Sequence, residues 1–216
     1  VWCLVRLYKS CDAVKRRFPG YDRRMTDARS QTRTDRRSEI AEAALRVLAR
    51  EGHAGLTARK VAAEAKLALG HITYHFNGMD EVLAEAYRLL SARLRAASDT
   101  TDPRATAMER LSAFLQAGFS RDFLTPAHIR ARIDLWSAAA SHPAVAETER
   151  ALYTHYRARL TDLLIPLAAP DRIPALTDTI MATLDGLWLD WMRRQDPQAV
   201  GNGLLTLIEM VRHAQA

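Results

Sequence analysis

Between Gly55 and Leu83 the chain reads GLTARKVAAEAKLALGHITYHFNGMDEVL. Two short segments with apolar residues at helical spacing lie in this stretch, one around Val61 and one around Ile72. Thr57 can cap the first segment with its hydroxyl, and a tight turn separates the two. Two short helices joined in this way predict a helix-turn-helix, in which the second helix enters the major groove of DNA.

Helical spacing continues on both sides of this motif. Ahead of it, a helix from Asp35 is predicted to end at Glu51, because Gly52 follows as a stop. Behind it, two carboxylates open a fourth helix that we expect to end near Ser98. No alternating apolar and polar pattern typical of strands is found, so the sequence predicts an all-α protein of about nine helices. The last five helices begin at or near a proline, which costs little at a first helical position: Pro103 to Phe123, Pro126 to Ala140, Pro143 to Leu164, Pro174 to Gln195 and Pro197 to His213.

The charge of the chain is unevenly distributed. The 216 residues contain 31 Lys and Arg against 25 Asp and Glu, for a formal net charge of +6. Residues 1–76 hold 16 basic and 8 acidic side chains, whereas residues 77–216 hold 15 basic and 17 acidic ones. This division predicts a basic module that meets a polyanion, followed by a module with another task.

The sequence argues against three classes of protein. No apolar run approaches the roughly 18 residues that a membrane span needs, and the opening VWCLV is too short for the core of a signal peptide, so we expect a cytoplasmic protein. The two cysteines, Cys3 and Cys11, exclude a disulfide framework. We expect them to be free thiols, with a bridge or a metal pair as the alternative.

Three common enzymatic motifs are absent from the sequence, and a fourth is incomplete. The chain contains no GxxxxGK[ST] phosphate loop, no GxSxG elbow and no HExxH pair. Gly201 and Gly203 begin a GxG, but Thr206 interrupts the GxGxxG pattern. The sequence therefore predicts no catalytic residue, no metal site and no cofactor, and the protein is not expected to be an enzyme.

Three segments follow from these patterns. Residues 1–34 are predicted to be a basic, disordered extension, in which Met25 is a candidate start of the natural protein. Residues 35–80 are predicted to form the helix-turn-helix domain, and residues 81–216 a second helical domain.

The motif resembles the TetR family of bacterial transcriptional regulators. This resemblance implies a DNA-binding head followed by a helical domain for a small-molecule effector and for dimerisation. The residues that carry it are Gly52, Leu56-Thr57, Val61-Ala62, Ala65, Tyr74-His75-Phe76 and Asp80-Glu81-Val82-Leu83.

The resemblance also implies which residues meet double-stranded DNA. Phosphate contacts are expected from the start of the second helix, and base and backbone contacts from the third. Tyr74 can instead be a packing residue, and His71 and His75 can instead form a metal pair. The expected DNA-contacting residues are Thr57, Arg59, Lys60, Leu69, Gly70, His71, Thr73, Tyr74 and His75.

Three positions depart from the family pattern. Lys66 stands where glycine usually ends the second helix, Ala68 where a Ser or Thr usually caps the third, and Met79 where a Lys usually meets a phosphate. These departures keep a second hypothesis open. In it, the protein is a TetR-like helical dimer with weak or lost DNA binding that acts as a ligand- or protein-binding module.

The later part of the chain resembles the C-terminal domain of the BetI-type regulators, through the run TLDGLWL at Thr183–Leu189 and through Trp136. That resemblance implies a repressor that is released by an effector such as choline or a related cationic amine. A carboxylate beside Trp faces suits such a cation through charge pairing and cation–π contact. The Trp residues can instead be core, and Asp185 can instead pair with an Arg. The expected effector-binding residues are Trp136, Asp185, Trp188 and Met192.

The last two helices are expected to pair with their copies in a homodimer, because their apolar face looks too wide for one neighbour to cover. A dimer would place its two third helices about 34–36 Å apart on a palindromic operator. The expected interface residues are Leu187, Trp191, Leu204, Leu207, Ile208 and Val211.

Overall fold

The computed structural model describes residues 21–98, 102 and 104–215, with the backbone alone for residues 21–32 and 215. Within this part of the chain every regular element is helical, which confirms the predicted all-α class. None of the helices combines the length and the apolar character that a bilayer crossing requires. The nine α-helices are α1 (Tyr21–Glu51), α2 (Ala58–Glu64), α3 (Leu69–His75), α4 (Met79–Ser98), α5 (Ala107–Ala117), α6 (Pro126–Ala139), α7 (Pro143–Leu164), α8 (Ile173–Arg194) and α9 (Pro197–Arg212).

The first helix is longer than the sequence predicted. It begins at Tyr21 instead of Asp35, within the segment that was expected to be a disordered extension. Residues 21–34 contain four Arg, one Ala and one Gln, which are residue types that favour helix, so the lack of a clear apolar period was a poor guide to the backbone of this segment. The helix ends as predicted, because Gly52 adopts a φ of 73° that glycine accepts at little cost. Cys3 and Cys11 lie outside the described residues.

The fifth helix is shorter than predicted, and a strong cap explains where it begins. The Thr106 hydroxyl accepts a hydrogen bond from the backbone N–H of Glu109, and the Glu109 carboxylate accepts one from the backbone N–H of Thr106. This capping box places the helix start at Ala107. The helix ends at Ala117, and irregular turns occupy the stretch to Phe123 that was predicted as helix.

Two apolar cores are joined by two helices. The first core lies among α1 to α4, and the second lies among α5 to α9. Helix α4 contributes Leu90 to the first core and Leu94 to the second. Helix α6 likewise contributes Leu135 to the first and Ile129 to the second, and Trp136 packs against both. The helix-turn-helix head is therefore continuous with the larger body through α4 and α6.

Candidate DNA-binding face and effector cavity

The two short helices of the predicted motif are present. The hydroxyl of Thr57 accepts a hydrogen bond from the backbone N–H of Lys60 across 3.3 Å, which caps α2 as predicted. Lys66 has a φ of 56°, in the left-handed region that favours glycine, and it turns the chain toward α3. Ala68 precedes α3 without a side-chain cap. The motif therefore forms although the turn and the cap both use unfavourable residues.

One side of α3 is open to solvent. Leu69 is 42% exposed and Tyr74 is 77% exposed, which are large fractions for side chains of this size. Gly70, His71 and Thr73 are exposed as well. The exposed side of this helix thus carries five of the six α3 residues that the sequence predicted to meet DNA.

The sixth of these residues, His75, does not lie on the exposed side of α3 as predicted. Its side chain is buried, and its Nδ1 atom has no hydrogen-bond partner among the described residues. The ring packs edge-on against Tyr74 with 4.9 Å between centroids, and burial, followed by the charge of Arg33, lowers the pKa of His75. Position 75 follows the buried Ile72 by three residues, so it shares the inward side of the helix. His75 is therefore unable to contact DNA from this position, and it is not paired with the exposed His71 for metal binding.

The three residues predicted to meet phosphates lie at the start of α2, and all are exposed. The Nζ atom of Lys60 is 2.5 Å from Oε2 of Glu51, so part of its charge is already neutralised. Thr57 accepts the capping bond with its oxygen, which leaves its hydroxyl proton free for another acceptor. Arg59 is exposed on the same turn.

A residue that the sequence did not single out fixes the end of α3. Arg37 of α1 donates from Nη1 to the backbone carbonyl of His75 across 2.5 Å, and its Cζ atom lies 4.1 Å from the centroid of the Phe76 ring. Its Nη2 atom is 2.9 Å from Glu81 and 3.2 Å from Glu85. One guanidinium thus ties α1, α3 and α4 together and sets the orientation of the exposed face.

The larger body contains a solvent-open cavity of about 750 Å³, mouth included, bounded by residues of α4, α6, α7 and α8. Three of the four predicted effector-binding residues line it: Trp136, Asp185 and Trp188. Charged groups at its wall also include Glu149 and Arg132, which the sequence analysis did not identify.

Arg132 lies across the aromatic wall of this cavity. Its Cζ atom is 4.7 Å from the ring centroid of Trp188 and 5.1 Å from that of Trp136. Its Nε atom is inaccessible to solvent and has no hydrogen-bond partner among the described residues. Burial lowers the pKa of Arg132, and the charge of Asp185 is among the groups that oppose this shift. The Trp faces that were expected to receive a cationic ligand therefore hold a cation of the protein itself.

Trp188 belongs to both the core and the cavity wall. It is 3% exposed and packs beside Phe119, with 4.7 Å between ring centroids. The ring of His128 also stacks on Trp188, with 5.9 Å between the ring centroids. Gly118 lies so close that a Cβ atom added to it would be 3.0 Å from the indole. Trp188 is therefore a core residue that also lines the cavity, and its role in effector binding stays a prediction.

The ionisable groups around Arg132 respond to their burial. Burial raises the pKa of Asp185, and Arg132 partly opposes this while Glu149 adds to it. Burial raises the pKa of Tyr87 to about 12, so its phenol stays protonated at neutral pH. Burial also lowers the pKa of His128 to about 4, and Arg132 acts in the same direction. The cavity wall therefore presents two guanidinium groups, two carboxylates and the neutral phenol of Tyr87.

The prediction for Met192 is wrong. The side chain is 45% exposed and is not among the residues that line the cavity. Its neighbour Trp191 is 7% exposed and packs in the core of the body, so the helix turns Met192 outward.

The residues predicted for the dimer interface face the interior of a single protomer. Leu187 is half-buried and packs so closely on α9 that a Cβ atom at Gly203 would lie 2.7 Å from its Cδ2 atom. One protomer therefore covers the apolar face that was thought to need a partner, because α5 and α8 pack on it. The buried residues are Trp191, Leu204, Leu207, Ile208 and Val211.

Helix α6 connects the cavity to the DNA-binding head. Asp134 follows Arg132 by two residues on α6 and points to another side of the helix, and its carboxylate accepts a hydrogen bond from the backbone N–H of His53 across 2.9 Å. Nη1 of Arg130, on the same helix, lies 3.4 Å from the carbonyl oxygen of Arg50 at the end of α1 and donates to it. Helix α6 thus carries a cavity residue, Arg132, between two residues that contact the head, Arg130 and Asp134.

Comparison with known proteins identifies the two parts of the chain separately. A family model of bacterial regulatory proteins of the tetR family matches residues 40–86. A model of the C-terminal domain of BetI-type transcriptional repressors matches residues 107–213.

Individual proteins that are similar to this chain belong to the same family. The chain is 28% identical over 167 residues to the HTH-type transcriptional regulator BetI of Agrobacterium fabrum, which covers 75% of this chain and 79% of that protein. It is 31% identical to a solved TetR family member from Streptomyces coelicolor, with a TM-score of 0.58 and coverage of 80% and 97% of the two chains. A regulator from Saccharomonospora viridis, solved in complex with choline, shares the fold at 19% identity, with a TM-score of 0.68 and coverage of 83% and 97%. The chain therefore belongs to the TetR family of transcriptional regulators, with a BetI-type C-terminal domain.

Proposed function

We propose that this regulator is a homodimeric repressor that binds a palindromic operator and is released by a small-molecule effector. The observation that carries this proposal is the link made by α6, which lines the cavity with Arg132 and contacts the head through Asp134. A ligand in the cavity can therefore alter the position of the head. It can do so only if it binds the arrangement that is incompetent for DNA more tightly than the competent one.

The exposed side of α3 is the proposed reader of the operator. Leu69 suits contact with a thymine methyl group, and His71 and Thr73 suit hydrogen bonds to base edges. A Cβ atom at Gly70 would meet nothing within 4 Å, so the fold itself does not require glycine there. Close approach of DNA to the helix backbone is a role that explains this residue.

Backbone contacts are proposed to set the orientation of α3 in the groove. Tyr74 projects from the protein with 77% of its surface exposed, which suits a contact to a phosphate or sugar. At the start of α2, Thr57 and Arg59 are placed for phosphates, and Lys60 can join them if it exchanges Glu51 for DNA.

A cationic amine such as choline remains the first effector class to examine. Two carboxylates, Glu149 and Asp185, line the cavity, and burial of Asp185 without a cation is unfavourable. The structurally similar Saccharomonospora viridis protein was solved with choline. Because Arg132 covers the Trp faces, we expect the amine to pair with the carboxylates and not to stack on the rings.

The proposed dimer uses the outer surface of the last two helices. Leu205 of α9 is 57% exposed and Met192 of α8 is 45% exposed in a single protomer, and these are the large apolar side chains that the two helices leave uncovered. A second copy that covers them would bring two heads to one operator.

A DNA-binding assay with the full chain tests the proposal. Fragments of the DNA upstream of the gene are labelled and titrated with protein at fixed salt. Each titration is done with and without choline at about 10 mM, a concentration high enough to reveal weak binding. We expect one fragment to bind far more tightly than unrelated DNA of equal length. Equal and weak binding to all DNA would instead support a ligand- or protein-binding dimer that has lost operator recognition.

A further inference from the structure

The cavity contains a buried donor without an acceptor. The Nε atom of Arg132 is inaccessible to solvent and makes no hydrogen bond within the described part of the chain. A guanidinium presents five N–H donors and no acceptor, so a ligand oxygen is the natural partner for an unused one. Leaving such a donor unpaired is costly. Because Nε is closed to solvent, a ligand in the cavity removes that cost only if the Arg132 side chain shifts until the donor meets a ligand oxygen.

The nearby carboxylates do not fill this role. Asp185 and Glu149 line the same cavity and influence Arg132 electrostatically, but among the described ion pairs neither is bonded to it. Arg132 instead lies over the rings of Trp188 and Trp136. The charges of the cavity are therefore held apart and are not paired with one another.

The formal charges at the cavity wall also balance. Two guanidinium groups, of Arg132 and Arg95, and two carboxylates, of Glu149 and Asp185, line the cavity. A ligand with only a positive charge would satisfy the carboxylates and leave Arg132 without an acceptor. A ligand with only a negative charge would do the reverse. A ligand that carries both charges complements both sides.

We propose that the effector is a small zwitterion, in which a carboxylate accepts hydrogen bonds from Arg132 and an amine or quaternary ammonium group faces Asp185 and Glu149. This inference rests on the proposed effector role of the cavity and specifies the chemistry of its ligand. The apolar side chains of Leu94, Phe119 and Met181 line the remaining wall and suit the carbon frame of such a molecule.

The test uses ligand pairs that share an amine group and in which only one member carries a carboxylate, in place of a hydroxymethyl group or of a hydrogen atom. Choline is compared with trimethylglycine, ethanolamine with glycine, and tryptamine with tryptophan, each by calorimetry on the full chain. We expect at least one carboxylate-bearing member to bind about tenfold or more tightly than its partner, as a charge-assisted bidentate contact requires.

Variants of Arg132 and Asp185 show which residue causes the preference for the carboxylate-bearing ligand. Arg132→Met keeps the length of the side chain and removes its charge, and we expect it to abolish the preference for the carboxylate. Arg132→Lys keeps the charge and is expected to restore part of the preference, which guards against a merely structural loss. Asp185→Asn is expected to weaken both members of a pair equally. Thermal unfolding followed by circular dichroism identifies variants that do not fold.

The proposal is overturned if no carboxylate-bearing member binds more tightly than its amine partner, including the case in which no compound binds. It is equally overturned if the preference survives in folded Arg132→Met protein. Operator binding by the ligand-free protein is measured separately, so failure of the zwitterion proposal is distinguishable from failure of the proposed regulatory function.

Discussion

Asp134 and His53 are joined by a hydrogen bond of 2.9 Å that runs from a side chain of the cavity helix to the backbone of the head. The bond lies just after Gly52, where α1 has ended and the chain turns toward α2. A carboxylate that accepts a backbone N–H at this point restrains the turn. A shift of α6 on ligand binding would therefore move the backbone at His53, which leads into α2 of the helix-turn-helix.

Replacing this carboxylate should uncouple the two sites. In Asp134→Ala we expect operator affinity without ligand to change little, while the ligand-induced loss of operator affinity shrinks about fivefold or more, a typical coupling between sites. The ligand is the panel compound that binds the wild type most tightly, and operator affinity is read by fluorescence anisotropy. Asp162→Ala, at an exposed site on α7, serves as the control. Unchanged coupling in Asp134→Ala would show that the bond transmits nothing.

The exposed side of α3 should carry operator recognition. We expect His71→Ala to weaken operator binding by about 1–3 kcal/mol and Tyr74→Ala by about 1 kcal/mol at matched salt. Both side chains are exposed, so neither change should alter folding or the sedimentation of the protein. His213→Ala, an exposed histidine at the far end of the chain, is the matched control. Wild-type affinity in both α3 variants would mean that another surface meets the operator.

The turn of the motif should be strained at Lys66. Its φ of 56° is unfavourable for a residue with a side chain, so Lys66→Gly is expected to raise the free energy of unfolding by about 1 kcal/mol. Lys66→Ala removes the same charge and keeps the unfavourable backbone, so it should give no such gain. Urea denaturation of the three proteins measures the difference. Equal stabilisation by Gly and Ala would assign the effect to charge and contradict this account.

Stability should fall in mild acid through His128. Its pKa in the folded protein is about 4, against an ordinary value of 6.5, so between these pH values the unfolded chain binds a proton that the folded chain does not. The free energy of unfolding should therefore decrease by about 2 kcal/mol from this residue as the pH falls through that window.

The measurement for His128 is urea denaturation at pH 7 and pH 4.5. His128→Phe keeps an aromatic ring between Phe123 and Trp188 and has no proton to bind, so its loss of stability over the same range should be smaller than that of the wild type. The same pH dependence in both proteins would exclude His128 as the cause.

The dimer should depend on the outer surface of α9. Leu205 is 57% exposed in one protomer, so Leu205→Glu is expected to leave the fold intact and to weaken self-association at least tenfold. Ile165→Glu, at another exposed apolar residue just after α7, is the control. Sedimentation velocity over a range of concentrations reports the change. A dimer of wild-type strength in Leu205→Glu would place the interface elsewhere.

Local patterns in the sequence were sufficient to predict most of the helices. Thr57 as a cap, Gly52 as a stop and the spacing of Val61 and Ile72 are all features that neighbouring residues determine, and each is present in the structure. The start of α1 was missed because the segment is terminal and has no clear apolar period, although its Arg residues favour helix.

Functional residues were harder to predict because their roles depend on residues distant in sequence. Periodicity shows that Leu204 and Val211 face apolar surroundings, but it does not say whether those belong to the same protomer or to a partner. Arg132 was missed because only the fold brings Trp188 to it, although Trp136 lies four residues away on the same helix. Arg37 was missed for the same reason, since its partners lie more than 30 residues away.

The central claim is that binding of the operator weakens binding of the cavity ligand to the same protein, and that the ligand weakens binding of the operator. The most direct measurement is the calorimetric dissociation constant of the tightest-binding panel compound, taken with the protein alone and with the protein saturated by its operator. Because coupling between two sites is reciprocal, the account predicts binding at least fivefold weaker in the presence of operator DNA. Equal dissociation constants with and without the operator would contradict it.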